Sequence, residues 1–108
     1  ISSGNSFVND TETKVILNGS YDVGFTMDLV KKDTDLFVKL AKEYNIPIDF
    51  GKIAKKKFDK GIKLLGKKSY STSIVKLLEN QCSIKLRAEN YPKKLIDKNP
   101  KQKAIEIK

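Results

Sequence analysis

The sequence predicts a small all-α domain, with its helices packed like a bundle and a basic segment at the C-terminal end. Three observations support this fold class. Between residues 26 and 78 the apolar residues recur at helical spacings of three, four and seven. No two alternating apolar segments form a convincing pair of strands. The length of 108 residues suits one domain with a modest core.

The first 25 residues are expected to hold one short helix between turns. Serine and asparagine are good helix N-caps, so this helix is predicted to start near Ser6. The sequence Asn18-Gly19-Ser20 is typical of a turn, and Gly24 marks a second break before the next element.

An amphipathic helix is predicted over residues 26–44. Its apolar stripe consists of Leu29, Leu36, Leu40 and Tyr44, widened by Val30, Phe37 and Ala41. Thr26 or Asp28 is expected to supply an oxygen for the first free amide groups. The helix is expected to end before Pro47, because the proline ring disfavours helical geometry at the preceding residue.

A second helix is predicted over residues 49–65. Its apolar positions are Phe50, Ile53, Ala54, Phe58, Ile62 and Leu65. The rest of its surface is almost entirely basic, with Lys52, Lys55, Lys56, Lys57, Lys60 and Lys63. Gly66 suits the position after the last helical turn, and the late lysines suit the negative end of the helix dipole.

A third helix is predicted after the cap-forming residues 69–73, and it includes Ile74, Val75, Leu77 and Leu78. The alternation of Cys82, Ile84 and Leu86 fits either a short extended piece or the end of this helix. The dispersed lysines beyond it predict a mobile tail. The predicted organisation is therefore a helical domain over residues 1–82 and a basic tail over residues 83–108.

The chain carries a formal net charge of +9, from 22 basic and 13 acidic residues. Every basic residue except Arg87 is a lysine, which acts as a point charge and not as a bidentate reader of bases. The charge leaves open a small basic helical module that binds nucleic acid or an acidic protein. The single arginine and the lack of a DNA-binding pattern make nucleic acid the less favoured partner.

Several classes of site and location are excluded or disfavoured by composition. The chain has no histidine and one cysteine, so no metal site, internal disulfide or histidine-based catalysis is expected. No apolar run approaches the roughly 20 residues of a membrane helix, so no membrane partner is expected. The start at Ile1, with no signal peptide, suggests a fragment of a longer protein, and the expected location is the cytoplasm.

Several short motifs occur in an order known from one enzyme family. They are Ser3-Gly4-Asn5-Ser6, Phe25, Lys32-Asp33, Leu36, Asn45-Ile46-Pro47, Gly66 and Tyr70-Ser71. Together they resemble the C-terminal helical domain of the β-hydroxyacid dehydrogenases, the family of 3-hydroxyisobutyrate dehydrogenase that is related to 6-phosphogluconate dehydrogenase. The resemblance covers roughly residues 1–80. Thr34 and Phe37 depart from the leucine and alanine of the family pattern, which leaves the substrate open.

The resemblance implies an NAD(P)-dependent oxidoreductase that interconverts a 3-hydroxy acid and its semialdehyde. In such an enzyme Lys32 reaches across the cleft to the bound cofactor, Asp33 positions neighbouring groups, and Phe25 walls the cleft. Ser3 and Gly4, together with Ser6, line the substrate pocket. The implied partners are the N-terminal dinucleotide-binding domain of the same parent protein and a second copy in a homo-oligomer.

The catalytic residues are expected outside this sequence. It contains no glycine-rich fingerprint for a pyrophosphate, and the family's catalytic lysine and companion asparagine have no counterpart in it. No residue of this chain is therefore assigned a catalytic role. The chain on its own is expected to bind no cofactor and to be inactive.

Plainer interpretations stand beside these assignments. Lys32 and Asp33 are also compatible with a solvated pair on a helix surface, which contributes little to stability. Phe25 is equally compatible with a core residue or a helix staple. The lysines of residues 52–63 fit an ordinary solvated face, and Tyr70-Ser71 fits a helix cap.

Overall fold

The computed structural model describes residues 4–92 and confirms the all-α class. Of the predicted site residues, Ser3 lies outside the described part of the chain. So do residues 93–108, on which most of the predicted basic tail falls. The described residues form no strand, and their one isolated bridge joins Thr26 to Tyr70.

Helical segments follow one another along the chain with short connections. A π-helical segment, Val8–Glu12, runs directly into α1 (Thr13–Leu17), and the later helices are α2 (Met27–Glu43), α3 (Asp49–Leu65) and α4 (Lys76–Cys82). A 3-10 segment, Ser71–Val75, leads into α4. The predicted helices over residues 26–44 and 49–65 are confirmed as α2 and α3. The π-helical and 3-10 segments have no distinct sequence pattern and were not predicted.

The start of α2 is capped by the loop that follows α3. The backbone amides of Met27 and Asp28 donate hydrogen bonds to the carbonyl oxygens of Ser69 and Lys67, at 2.8 and 2.9 Å. The side chain of Thr26, one of the two predicted caps, makes no capping hydrogen bond. Distant backbone thus satisfies these two amides, while Asp28, the other predicted cap, accepts the amide hydrogen of Leu29 at 3.0 Å.

The core of the described domain is small and lies where α2 meets α3 and the 3-10 segment. Its buried apolar side chains are Val15 of α1, Tyr21, Met27 and Ala41, and among them Met27 is fully buried. Gly61 lets α3 come close to this core, because a Cβ atom there would lie 2.7 Å from the Cδ1 of Ile74 and 3.2 Å from the sulfur of Met27.

The leucine stripe of α2 faces away from this core. Leu36 is 57% exposed and Leu40 is 55% exposed, whereas Met27 and Ala41 on the opposite side of the helix are buried. The helical period predicted from the sequence is therefore correct, but of the predicted stripe only Ala41 and the half-buried Val30 lie on the packed side. The outward stripe leaves a large apolar surface on the described domain.

Four charged side chains join α2 to α3 beside that packed side. Lys31 lies 2.7 Å from Asp35 within α2, and Lys55 lies 2.6 Å from Asp59 within α3. Lys55 also lies 3.1 Å from Asp35, and Lys31 lies 3.6 Å from Asp59. The four charges alternate in sign around the contact, so each lysine is shared between two carboxylates.

The segment after α4 has no regular secondary structure and contacts the helices. Helix α4 ends at Cys82, and Ser83 adopts the left-handed conformation with φ of 56°. The amide of Ala88 then donates to the carbonyl of Leu17 at 3.1 Å, and the Asn18 side chain donates to the carbonyl of Pro92 at 3.0 Å. Residues 84–92 therefore tie the end of α1 to the end of α4. The boundary between residues 82 and 83 stays a prediction.

Two classes of feature are absent from residues 4–92. None of the helices there combines the length and the apolar character that crossing a membrane requires. The same residues contain no group of three or more histidine, cysteine, aspartate or glutamate side chains placed to hold a metal ion.

Candidate functional site

Lys32 and Asp33 lie on the outward side of α2, in its second turn. Their side chains are 65% and 63% exposed, and the Lys32 Nζ is 3.9 Å from the nearest carboxylate oxygen of Asp33. A pair this long and this exposed binds weakly. Within residues 4–92 it is also the one ion pair of Lys32, so the ammonium group is available to an external anion.

Phe25 lies at the N-terminal end of α2, just before the helix begins. Its carbonyl oxygen accepts the amide hydrogen of Ser71 at 2.7 Å, which fixes the backbone beside the 3-10 segment. The ring is partly exposed. Lys32 follows seven residues later, in the second turn of the helix. The structure thus places Phe25 and the weakly paired Lys32 at the same end of α2.

Gly4 and Ser6 lie on a different element from Lys32. Gly4 is in an exposed turn, and Ser6 precedes the π-helical segment, where its hydroxyl oxygen accepts the amide hydrogen of Asn9 at 3.3 Å. A hydrogen bond of this kind is typical of the first turn of a helix, and it supports the predicted helix near Ser6. The substrate-pocket role of Ser3 and Gly4 stays a prediction.

One turn before Lys32, Asp28 forms an ion pair that the sequence analysis missed. Its carboxylate lies 2.8 Å from the Lys68 Nζ and accepts a short hydrogen bond from the hydroxyl of Thr26. The bond from Lys68 is the main cause that lowers the pKa of Asp28 to about 2, and the Thr26 hydroxyl adds to it. Lys68 therefore neutralises this carboxylate, while Lys32 keeps only its long, exposed pair with Asp33.

The ion pairs between α2 and α3 include Lys31, the neighbour of Lys32. The hydrogen bond from Lys31 lowers the pKa of Asp35, with a smaller contribution from Lys55, and the pKa of Lys31 is raised in return. The pKa of Lys55 is raised chiefly by Asp59 and then by Asp35. The spacing of four residues within each pair was a signal that could have revealed these contacts. The network lies beside the packed side of α2, whereas Lys32 on the outward side takes no part in it.

A buried carboxylate lies at the other end of the domain. Glu79 accepts hydrogen bonds from the Tyr21 hydroxyl at 2.8 and 2.9 Å and from the Leu86 amide at 3.1 Å, and it pairs with Arg87 at 3.1 Å. Burial acts to raise the pKa of Glu79, but these donors outweigh it and the pKa is lowered. Burial and the adjacent carboxylate raise the pKa of Tyr21.

The surroundings of Tyr21 show that this cluster serves the fold. The Lys76 ammonium lies 4.6 Å from the centre of the Tyr21 ring, and the guanidinium carbon of Arg87 lies 5.1 Å from it. The Thr72 hydroxyl donates to the Tyr21 carbonyl oxygen. The Tyr21 hydroxyl and the Glu79 carboxylate thus find their partners inside the domain, which indicates a structural role for the cluster. No local sequence signal predicted it, because its members come from four separate segments.

One protein-family model matches residues 1–78, and it is described as NAD-binding of NADP-dependent 3-hydroxyisobutyrate dehydrogenase. The match confirms the resemblance drawn from the ordered motifs. It includes Phe25, Lys32 and Asp33, and it ends within α4, before the buried contacts of Arg87. Neither the curated proteins nor the solved structures include a match to the chain.

Proposed function

This chain belongs to the family described as NAD-binding of NADP-dependent 3-hydroxyisobutyrate dehydrogenase, and on that premise we propose the following function. The chain is the C-terminal helical domain of an NAD(P)-dependent oxidoreductase that acts on a 3-hydroxy acid and its semialdehyde. The domain covers the cofactor cleft of a dinucleotide-binding domain in the same parent protein.

The exposed ammonium group of Lys32 is the observation that carries this proposal. A dinucleotide presents phosphate and hydroxyl oxygens, which a lysine at the edge of a cleft binds as a mobile point charge. Lys31 and Lys68 lie near it in sequence or space, and both are held by aspartates at less than 3 Å. Of the two lysines in the first turns of α2, Lys32 is the one that can reach a cofactor without first breaking a short ion pair.

Phe25 and Asp33 take supporting roles in the same cleft. The partly exposed ring of Phe25 excludes water from the path of a hydride, which protects the transfer from competing reactions. Asp33 lies beside Lys32 and limits the directions in which its ammonium group points. The chemistry itself depends on groups of the dinucleotide-binding domain, so this chain contributes no catalytic residue and is inactive alone.

The outward leucine stripe of α2 supports the proposed assembly. Leu29, Leu36 and Leu40 are exposed on the side of the helix that carries Asp33, and an apolar surface of this kind is typical of a protein interface. We assign it to contacts with the dinucleotide-binding domain and with a second copy in a homo-oligomer. The proposed location of the parent enzyme is the cytoplasm.

Cofactor kinetics of the two-domain parent test the role of Lys32. Replacement of Lys32 by Ala removes one charge-assisted hydrogen bond, so the cofactor KM should rise about tenfold or more, with a smaller effect on kcat. Lys39→Ala is the matched control, since Lys39 is exposed on the same helix. A cofactor KM that changes equally little in both variants would remove Lys32 from the site.

A further inference from the structure

Five lysines of α3 lie on its surface without a counter-charge. They are Lys52, Lys56, Lys57, Lys60 and Lys63, here called the lysine row, and none forms an ion pair with any of residues 4–92. The sixth lysine of the helix, Lys55, is held between Asp35 and Asp59. Four members of the row are spaced by four, four and three residues, so they share one side of the helix. They extend over about 16 Å of its axis.

An exposed apolar row borders these lysines on the same helix. It consists of Phe50, Ile53 and Leu64, which are 88%, 57% and 61% exposed. Their spacing of three and eleven residues places them on one side of α3. The packed side is different, because there the half-buried Phe58 and Ile62 and the buried Gly61 face the domain. The helix therefore exposes apolar side chains directly beside a run of uncompensated positive charge.

The combination of the two rows discriminates between anionic partners. The phosphates of a nucleic acid would attract the lysines, but they would make no favourable contact with aliphatic side chains such as Ile53 and Leu64. An anionic bilayer can bind both the lysine row and the apolar row. Its headgroups attract the lysines, and its interface takes up apolar side chains of a helix that lies in the membrane plane.

We propose that α3 binds the surface of an anionic phospholipid bilayer through its lysine row and its apolar row. The helix lies along the membrane, with Phe50 and Leu64 entering the region between headgroups and acyl chains. The sequence-based expectation of no membrane partner was based on the lack of a spanning segment, and peripheral binding needs none. Lys32 lies on α2, so this surface is separate from the proposed cofactor contact and either can fail alone.

Sedimentation of the full 108-residue chain with lipid vesicles tests the proposal. The vesicles contain either phosphatidylcholine alone or phosphatidylcholine with about 30% phosphatidylglycerol, a content of anionic lipid sufficient to attract basic segments. Binding to the anionic vesicles should be at least tenfold tighter and should weaken as salt is raised. No binding to anionic vesicles at low salt would overturn the proposal.

Charge-matched variants separate the lysine row from the net charge. The row variant is Lys52→Gln, Lys56→Gln, Lys60→Gln and Lys63→Gln, and the control is Lys14→Gln, Lys39→Gln, Lys42→Gln and Lys85→Gln. Each variant loses four lysines, so the two carry the same net charge. The control lysines are exposed like those of the row. The row variant should lose at least tenfold in affinity and the control less than about threefold. Equal losses would show diffuse attraction and would overturn the proposal.

A second pair of variants tests the apolar row. Phe50→Ser with Leu64→Ser should weaken binding several-fold while the helical circular dichroism is kept, because both side chains are exposed. Leu78→Ser with Ile84→Ser, at exposed positions elsewhere, should leave binding unchanged. Undiminished binding of the first variant would overturn the proposal. So would binding of a polyuridine RNA by a chain that fails to bind the vesicles.

Discussion

At the scale of single residues, Glu79 shows how this domain keeps a charge in its interior. The side chain is only 5% exposed, and an unpaired carboxylate at such a position would cost several kcal/mol. The Tyr21 hydroxyl, the Leu86 amide and Arg87 together satisfy its oxygens. The only arginine of a lysine-rich chain is used here, where its planar group contacts a carboxylate and a tyrosine ring together.

Replacement of Glu79 by Gln should destabilise the domain by about 1–3 kcal/mol. The substitution removes the charge opposite Arg87 and leaves buried donors without an adequate acceptor. Urea unfolding followed by circular dichroism measures the loss. Glu89→Gln, at an exposed position, is the control and should change the free energy of unfolding by less than about 0.5 kcal/mol. Equal stability of the two variants would contradict the claim that the buried contacts of Glu79 stabilise the domain.

The free energy of unfolding should fall in acid. The pKa of Asp28 is about 2 in the folded domain against a usual 3.8, and the pKa values of Asp35 and Glu79 are also lowered. A carboxylate with a lowered folded pKa stabilises above its unfolded pKa, and this stability is lost as pH falls through the folded value. Urea unfolding between pH 6 and pH 2 should show the decline, and Asp28→Asn should flatten it below about pH 4. A constant free energy over that range would contradict these ion pairs.

At the scale of the elements, α2 and α3 were predictable because their signals are local. Pro47 and Gly66 mark ends that depend only on backbone geometry, and the apolar period shows the helices between them. The packed side of α2 was not predictable in the same way. Period alone does not tell which neighbour covers an apolar stripe, and here the leucines face outward while Met27 is enclosed.

A pair of alanine substitutions distinguishes the two sides of α2. Met27→Ala should cost about 2–5 kcal/mol, because it empties a fully enclosed position. Leu40→Ala should cost less than about 1 kcal/mol in the isolated domain, since that side chain is already more than half exposed. Urea unfolding of the separate domain measures both values. A larger cost for Leu40 than for Met27 would show that α2 packs by its leucine stripe.

At the scale of the whole molecule, the described residues form a domain that exposes many large apolar side chains. Its small core, its outward stripe on α2 and the exposed, weakly paired Lys32 support the proposal that another domain covers this surface. The ordered motifs predicted the family, because they are short local patterns, and the site roles of Lys32, Asp33 and Phe25 stay predictions. They did not predict how distant segments meet, as for Asp28 with Lys68, since that depends on the loop after α3.

The central claim is that α2 presents Lys32 to a cofactor held by a dinucleotide-binding domain. Amide chemical shifts of the labelled chain, recorded with that domain before and after NADP is added, test it most directly. The account predicts that the cofactor shifts the signals of Phe25, Lys32 and Asp33 and leaves those of α3 near their starting values. Shifts confined to α3, or no cofactor-dependent shift in α2, would contradict it.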